Sequence, residues 1–114
     1  MMTIKNRVQL VGNLGATPEV RNFDGGNKVA RFSVATSDSY TNKKGEKVKE
    51  TQWHNIVVWG KLAGIAEQIL EKGSHIVIDG KLNSGTYNDK EGVKKYYTEI
   101  VAKEFLLINK KNNN

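Results

Sequence analysis

The chain has 114 residues, 18 of them Lys or Arg and 12 Asp or Glu, for a formal net charge of +6, with one Pro and no Cys. That length suits a single core and argues against a two-lobed enzyme, and the missing Cys removes disulfide scaffolds, thiolate zinc sites and thiol nucleophiles. No apolar run approaches the roughly 20 residues that cross a bilayer and Met1-Met2-Thr3-Ile4-Lys5-Asn6-Arg7 lacks a signal-peptide apolar stretch, so we expect a soluble, cytoplasmic protein whose basic excess points to polyanions, nucleic acid or anionic membrane surface.

Five stretches carry the β-branched and aromatic composition and partial two-residue alternation of strands. The first runs from about Ile4 to Leu14, and Gly12 and Gly15 suggest a bend that lets it continue toward Val20 and Phe23. A turn follows at Asp24-Gly25-Gly26-Asn27. The second strand, Val29 to Thr36, alternates Ala30, Phe32 and Val34 with Arg31 and Ser33. The third, Thr51 to Trp59, puts Ile56 and Val58 on one side and Trp53, Asn55, Val57 and Trp59 on the other. Leu62, Ile65, Ala66, Ile69 and Leu70 then form the stripe of a short amphipathic helix, with Gly73 as a C-terminal cap. The fourth strand, His75 to Leu82, sets Ile76, Ile78 and Leu82 against Asp79 and Lys81; the fifth, Lys95 to Ile108, ends in an apolar run.

Three strands, a helix and two strands, with long polar connections at 38–50 and 83–94, match the all-β, five-stranded Greek-key barrel called the OB-fold, whose loops help bind oligonucleotides. The expected division is one domain over residues 1–108 and a disordered polar tail over 109–114.

Binding of an unpaired strand needs cations for phosphates and flat rings for bases, each stack contributing roughly 1–3 kcal/mol. Trp53 and Trp59 have the same parity six residues apart, hence about 20 Å apart on one face, and Asn55 shares that face. Core burial of both rings is the competing reading. Tyr40 and Tyr87 fall in the two long polar connections, where packing explains a ring poorly. Lys43, Lys44, Lys47 and Lys49 follow Tyr40, and Lys90, Lys94 and Lys95 follow Tyr87, diluted by Glu46, Glu50, Asp89 and Glu91. The candidate phosphate ligands are Lys43, Lys44, Lys47, Lys49, Lys61 and Lys90 with Arg7, Arg21 and Arg31 on or beside the strands; solvation for the lysines and ion pairing for the arginines remain open.

His54 has the parity of Ile56 and Val58, which suits a hydrogen-bonded packing role. Two His without Cys or paired carboxylates make no transition-metal site, and no cofactor is expected. Gly12-Asn13-Leu14-Gly15 lacks the third glycine of a dinucleotide loop, and Gly60-Lys61 lacks the rest of a phosphate loop. No catalytic residue is assigned.

Several stretches together resemble the bacterial single-stranded-DNA-binding protein family: Asn6-Arg7-Val8-Gln9-Leu10-Val11-Gly12-Asn13-Leu14-Gly15, Thr17-Pro18-Glu19-Val20-Arg21, Phe32-Ser33-Val34-Ala35-Thr36-Ser37, Thr51-Gln52-Trp53-His54-Asn55-Ile56-Val57-Val58-Trp59-Gly60-Lys61-Leu62-Ala63 and Leu70-Glu71-Lys72-Gly73-Ser74. The resemblance implies an OB-fold homotetramer that wraps single-stranded DNA, independently of sequence, in replication, recombination and repair. It places the base-stacking aromatics on Tyr40, Trp53, Trp59 and Tyr87, with Tyr40 and Tyr87 where tryptophan is frequent and Trp59 where phenylalanine is more usual. It also puts His54 at a subunit interface and pairs the first strand across a dimer through Val8, Leu10 and Val11. Family members usually carry an acidic tip that recruits replication and repair proteins; this sequence ends in Lys110-Lys111-Asn112-Asn113-Asn114, which fits either a shortened chain or a naturally tailless form, so replication and repair proteins stay open as partners while recruitment through an acidic tip is in doubt. The alternatives are a primosomal or mobile-element accessory protein binding single-stranded DNA or RNA, and a nuclease or carbohydrate-binding module of the same fold.

Overall fold

The computed structural model describes residues 5–109. In chain order the elements are β1 (Val8–Leu14), β2 (Glu19–Asn22), a single 3-10 turn at Asp24–Gly26, β3 (Lys28–Thr41), β4 (Lys47–Trp59), α1 (Gly60–Ile69), β5 (His75–Asn88) and β6 (Lys94–Asn109). The sheet order is β1-β5-β6-β4-β3-β2, and β1 also pairs with β3 through Asn13↔Ala35 and Leu14↔Val34. That second pairing closes a barrel. The expected bend in the first strand is real and splits it: β1 serves β5 and the closure, while β2 runs antiparallel along β3 from Glu19↔Arg31 to Asn22↔Lys28.

Gly12 permits the closure. A Cβ at this position would collide with the Ala35 carbonyl oxygen and lie 2.8 Å from Val34 Cγ1, so only glycine lets β1 pass this close to β3. A second glycine sets the helix: Gly60 has φ +65°, and the chain turns from Trp59 directly into α1 without a loop. The helix therefore starts two residues before the predicted Leu62. It ends at Ile69, and Gly73 is not the residue that caps it; the Leu70 N–H donates to the Ala66 carbonyl at 2.9 Å. Gly73 instead docks the following turn on β1, its N–H donating to the Leu14 carbonyl at 2.9 Å.

The core is the even-numbered side of the strands: Ala30, Phe32 and Val34 on β3, Ile56 and Val58 on β4, Ile76 and Ile78 on β5, Ile100 and Ala102 on β6, with Ala63, Ala66 and Leu70 from the α1 region. On β6 the parity then switches, and Phe105 and Leu107 pack against this cluster while Leu106 is 67% exposed. The pairing explains the switch: Gly80 faces Ala102 but Asp79 faces Glu104, so Lys103 is an extra residue, a β-bulge that inverts the side chains from Glu104 to Leu107. The apolar run Phe105-Leu106-Leu107-Ile108 is thus read by two faces.

Three expected boundaries are corrected. The polar connections at 38–50 and 83–94 are mostly strand: β3 and β4 continue as a two-stranded ribbon to a turn at 42–46, and β5 and β6 to a turn at 89–93. Both turns have one design. The Asn42 Oδ1 accepts the N–H groups of Lys44 and Glu46 at 2.9 Å, and the Asp89 Oδ1 accepts those of Glu91 and Val93 at 2.9 Å. The ribbons raise the radius of gyration to 16.4 Å, against about 13 Å for a compact domain of this length. Asn109, expected to begin the tail, is the last residue of β6, and residues 110–114, like Ile4 at the expected start of the first strand, lie outside the described residues.

Gly12→Ala is expected to destabilise the fold by about 1–3 kcal/mol in urea unfolding, because the obstacle is backbone. Gly64→Ala, inside α1 with nothing within 4 Å of the added carbon, is expected to stabilise by about 0.5–1 kcal/mol.

Candidate nucleic-acid interface

Directly opposed residues of paired strands share a face. The pairs Val29↔Trp59, Arg31↔Val57, Ser33↔Asn55, Ala35↔Trp53 and Ser39↔Lys49 therefore put the odd-numbered residues of β3 and β4 together on the outer face. The pair Arg21↔Val29 adds Arg21 at one edge, and the parallel pair Val57↔Val101 adds Glu99 and Tyr97 of β6 at the other. Tyr87, opposite Lys95, completes the row. Along β4 alone the outer side reads Lys47, Lys49, Thr51, Trp53, Asn55, Val57 and Trp59.

Trp53, Trp59 and Tyr87 are 61%, 52% and 55% exposed, which decides between the two readings of the tryptophans. Trp53 is nevertheless anchored: a Cβ on Gly15 would come within 2.5 Å of its Cζ3, so one end of the indole rests on the bend after β1. Tyr40 and Tyr87 sit on strands, not loops. Tyr40 pairs with Val48 and has the parity opposite to Trp53, which places it on the other side of the β3–β4 ribbon. Val57, expected with the tryptophans, has their parity but is fully buried. Its cross-strand partner Arg31 reaches over β4 to β6, where Nη1 meets Glu99 Oε2 at 2.7 Å, so an ion pair spans the strand beside Val57.

The basic candidates divide in two. Arg7 grips Asp79 with Nε and Nη2 at 3.2 and 3.1 Å, and Arg31 holds Glu99, which also accepts from Asn83 Nδ2 at 3.3 Å. Both arginines thus make the ion pair that was one of their two readings. Among the described residues Arg21, Lys43, Lys44, Lys47, Lys49, Lys61 and Lys90 make no ion pair and are exposed. Lys43, Lys44 and Lys90 stand at the ribbon tips, and Lys61 lies in the first turn of α1. His54, half-buried, lies 3.0 Å through Nε2 from Thr36 Oγ1.

Between the bend after β1 and the β5–β6 ribbon lies an open cleft of about 680 Å³, lined by Thr17, Arg31, Asn55, Tyr87, Tyr97 and Glu99 among others. Sequence reasoning missed Tyr97, which packs 6.3 Å from Tyr87 between ring centroids. A signal existed: adjacent tyrosines on one strand put one ring on each side, so Tyr96 and Tyr97 could not both avoid the face of Tyr87.

Residues 5–108 match the family model described as the single-strand binding protein family. The chain belongs to that family. A single-stranded DNA-binding protein 1 of Xylella fastidiosa is 45% identical over 114 residues, which cover 99% of this chain and 84% of the relative. The single-stranded DNA-binding protein of Neisseria meningitidis serogroup A is 41% identical over 109 residues, 96% of this chain and 63% of the relative. Among solved structures, a Plasmodium falciparum SSB complex with ssDNA superposes with a TM-score of 0.86 at 26% identity, covering 96% of this chain and 99% of that one. A deletion mutant of the single-stranded DNA-binding protein from Thermus aquaticus gives 0.80 at 27%, covering 93% and 51%. The barrel with one helix is therefore the OB-fold of this single-strand binding family.

With both indoles open and lysines on their face, quenching of Trp emission by iodide relative to caesium, each normalised to its quenching of free N-acetyltryptophanamide, is expected to favour iodide at low salt, and the difference to shrink as salt screens the field. Equal normalised quenching by the two ions would contradict this surface. Trp59→Phe is expected to leave stability within about 0.5 kcal/mol.

Proposed function

We propose that this chain binds single-stranded DNA without sequence preference, acts in replication, recombination and repair, and does so as a homotetramer. One observation carries the binding: the outer side of β4 sets cations and rings in one row, Lys47 and Lys49 leading to Trp53, Asn55 and Trp59, all pointing away from the core. A ring face standing open at the surface suits a base that is not already stacked in a duplex, and every base offers a π face, so the stack tolerates any sequence. In this reading Trp53, Trp59, Tyr87 and Tyr40 stack on bases while Arg21, Lys43, Lys44, Lys47, Lys49, Lys61 and Lys90 neutralise phosphates. Because Tyr40 lies on the far side of its ribbon, a strand that touches both Tyr40 and Trp53 must pass around the ribbon.

A second surface supports the assembly. Val11↔Val77 and Val77↔Leu106 align three apolar residues across β1, β5 and β6, and Val11 and Leu106, with Ile108 nearby, are exposed in the single chain. Apolar area of this kind is covered at low free-energy cost by another copy. Val8 and Leu10 pack partly on the core of their own chain, so in this reading their contribution to the interface is through the β1 backbone.

Titration with oligo(dT) is expected to quench Trp emission, with affinity falling linearly in log salt as counterions are released. Lys47→Ala with Lys49→Ala should flatten that slope by about 0.7 for each phosphate that is no longer neutralised. An unquenched signal with a long oligonucleotide at low salt would remove the proposal. Light scattering should give about fourfold the chain mass of 12.7 kDa, and Leu106→Glu should lower the mass; a monomer in the wild type would contradict the assembly.

A further inference from the structure

On the β5–β6 ribbon, Tyr87 faces Lys95 and Gly85 faces Tyr97, so the two tyrosines are diagonal neighbours on one face. Their ring planes meet at 43° with centroids 6.3 Å apart. A base sandwiched between two rings needs parallel planes and two stacked separations of about 3.5 Å each, which this pair does not offer. The Tyr97 ring lies down across the β5 backbone instead: a Cβ on Gly85 would come within 2.5 Å of its hydroxyl oxygen and 2.7 Å of Cζ. Tyr97 is correspondingly 38% exposed, against 76% for Tyr96 on the other side of the ribbon. Both Tyr87 and Tyr97 line the cleft that also contains Asn55 and Arg31.

We propose that Tyr97 is a positioning residue for base stacking on Tyr87, resting on the reading that the chain binds single-stranded DNA. Seated in the gap above Gly85, its ring occupies one side of Tyr87 and limits the rotation of that side chain, leaving the remaining face of Tyr87 turned to the cleft. A base arriving there meets a ring whose rotamer freedom is already restricted, so less ordering is required on binding. Tilted aromatic pairs of this spacing are themselves attractive. Tyr97 acts through Tyr87 and is not an additional platform.

The test is a set of short-oligo(dT) titrations at fixed salt on the full chain, with a thermal melt of each variant. Tyr97→Ala should weaken binding about 2- to 12-fold without a matching loss of melting temperature, and Tyr97→Phe should bind like the wild type. In a Tyr87→Ala background the same Tyr97→Ala change should cost less than about 2-fold, because nothing is left to position. Equal losses in both backgrounds would make Tyr97 an independent platform and overturn the proposal, as would no loss in the wild-type background. Should Tyr97→Ala fold poorly, Gly85→Ala displaces the same ring while keeping it, and the same dependence on Tyr87 is expected; its absence overturns the proposal. Failure of the wild type to bind oligo(dT) would instead sink the function reading itself.

Discussion

Strand β4 is hydrogen-bonded on both sides, to β3 along its whole length and to β6 at Ile56 and Val57, and its two faces are therefore committed to different work. Ile56 and Val58 are held inside a closed barrel, and the two-residue repeat then obliges Trp53, Asn55 and Trp59 to point out. A slip of one residue in register would bury the indoles and expose the isoleucine, which the core forbids. The open rings are thus a by-product of core packing and need no support of their own beyond the contact of Trp53 with Gly15. The barrel closure at Gly12 and the turn at Gly60 matter to the interface for the same reason: both keep β4 in that register.

Charge is distributed by a similar division. Arg7 and Arg31 lie where carboxylates can reach them, Asp79 on β5 and Glu99 on β6, and the second pair bridges β3 and β6 across β4. The lysines that follow Tyr40 and Tyr87 stand on the ribbons and turns and make no ion pair among the described residues. These lysines stand on the projecting parts of the molecule, which would meet a polyanion first, and they share those ribbons with Asp38, Glu46, Glu50, Asp89 and Glu91. Glu99 lies beside the row of rings, and Arg31 and Asn83 each donate to one of its carboxylate oxygens.

The strands of the barrel were legible because their alternation is enforced by burial: Ala30-Arg31-Phe32-Ser33-Val34 and the Trp53 to Trp59 run have one answer. The ribbons were not. Residues such as Lys47, Lys49, Thr86 and Lys94 have no buried face, so composition reads as loop, and only cross-strand pairing, with hydroxyl contacts such as Ser37 to Thr51 and Ser84 to Thr98, keeps them extended. The bulge at Lys103 was hidden for another reason: an apolar run of four is the same sequence whether or not its parity has shifted. Of the site, the exposed rings and the lysines were visible as residue types in a pattern, whereas the Arg31–Glu99 pair and the seat of Tyr97 above Gly85 depend on contacts between strands far apart in sequence.

The central claim, that the outer row on β4 and its neighbours is where an unpaired strand lies, is tested most directly by photo-crosslinking. Thymidine oligomers carrying one 5-iodouracil at successive positions would be irradiated with the full chain and the adducts located by mass spectrometry. The account predicts adducts on Trp53, Trp59 and Tyr87, with Tyr40 joining as the label moves around the ribbon. Adducts gathered instead on the Val11 and Leu106 side, with the tryptophans unmodified, would contradict it.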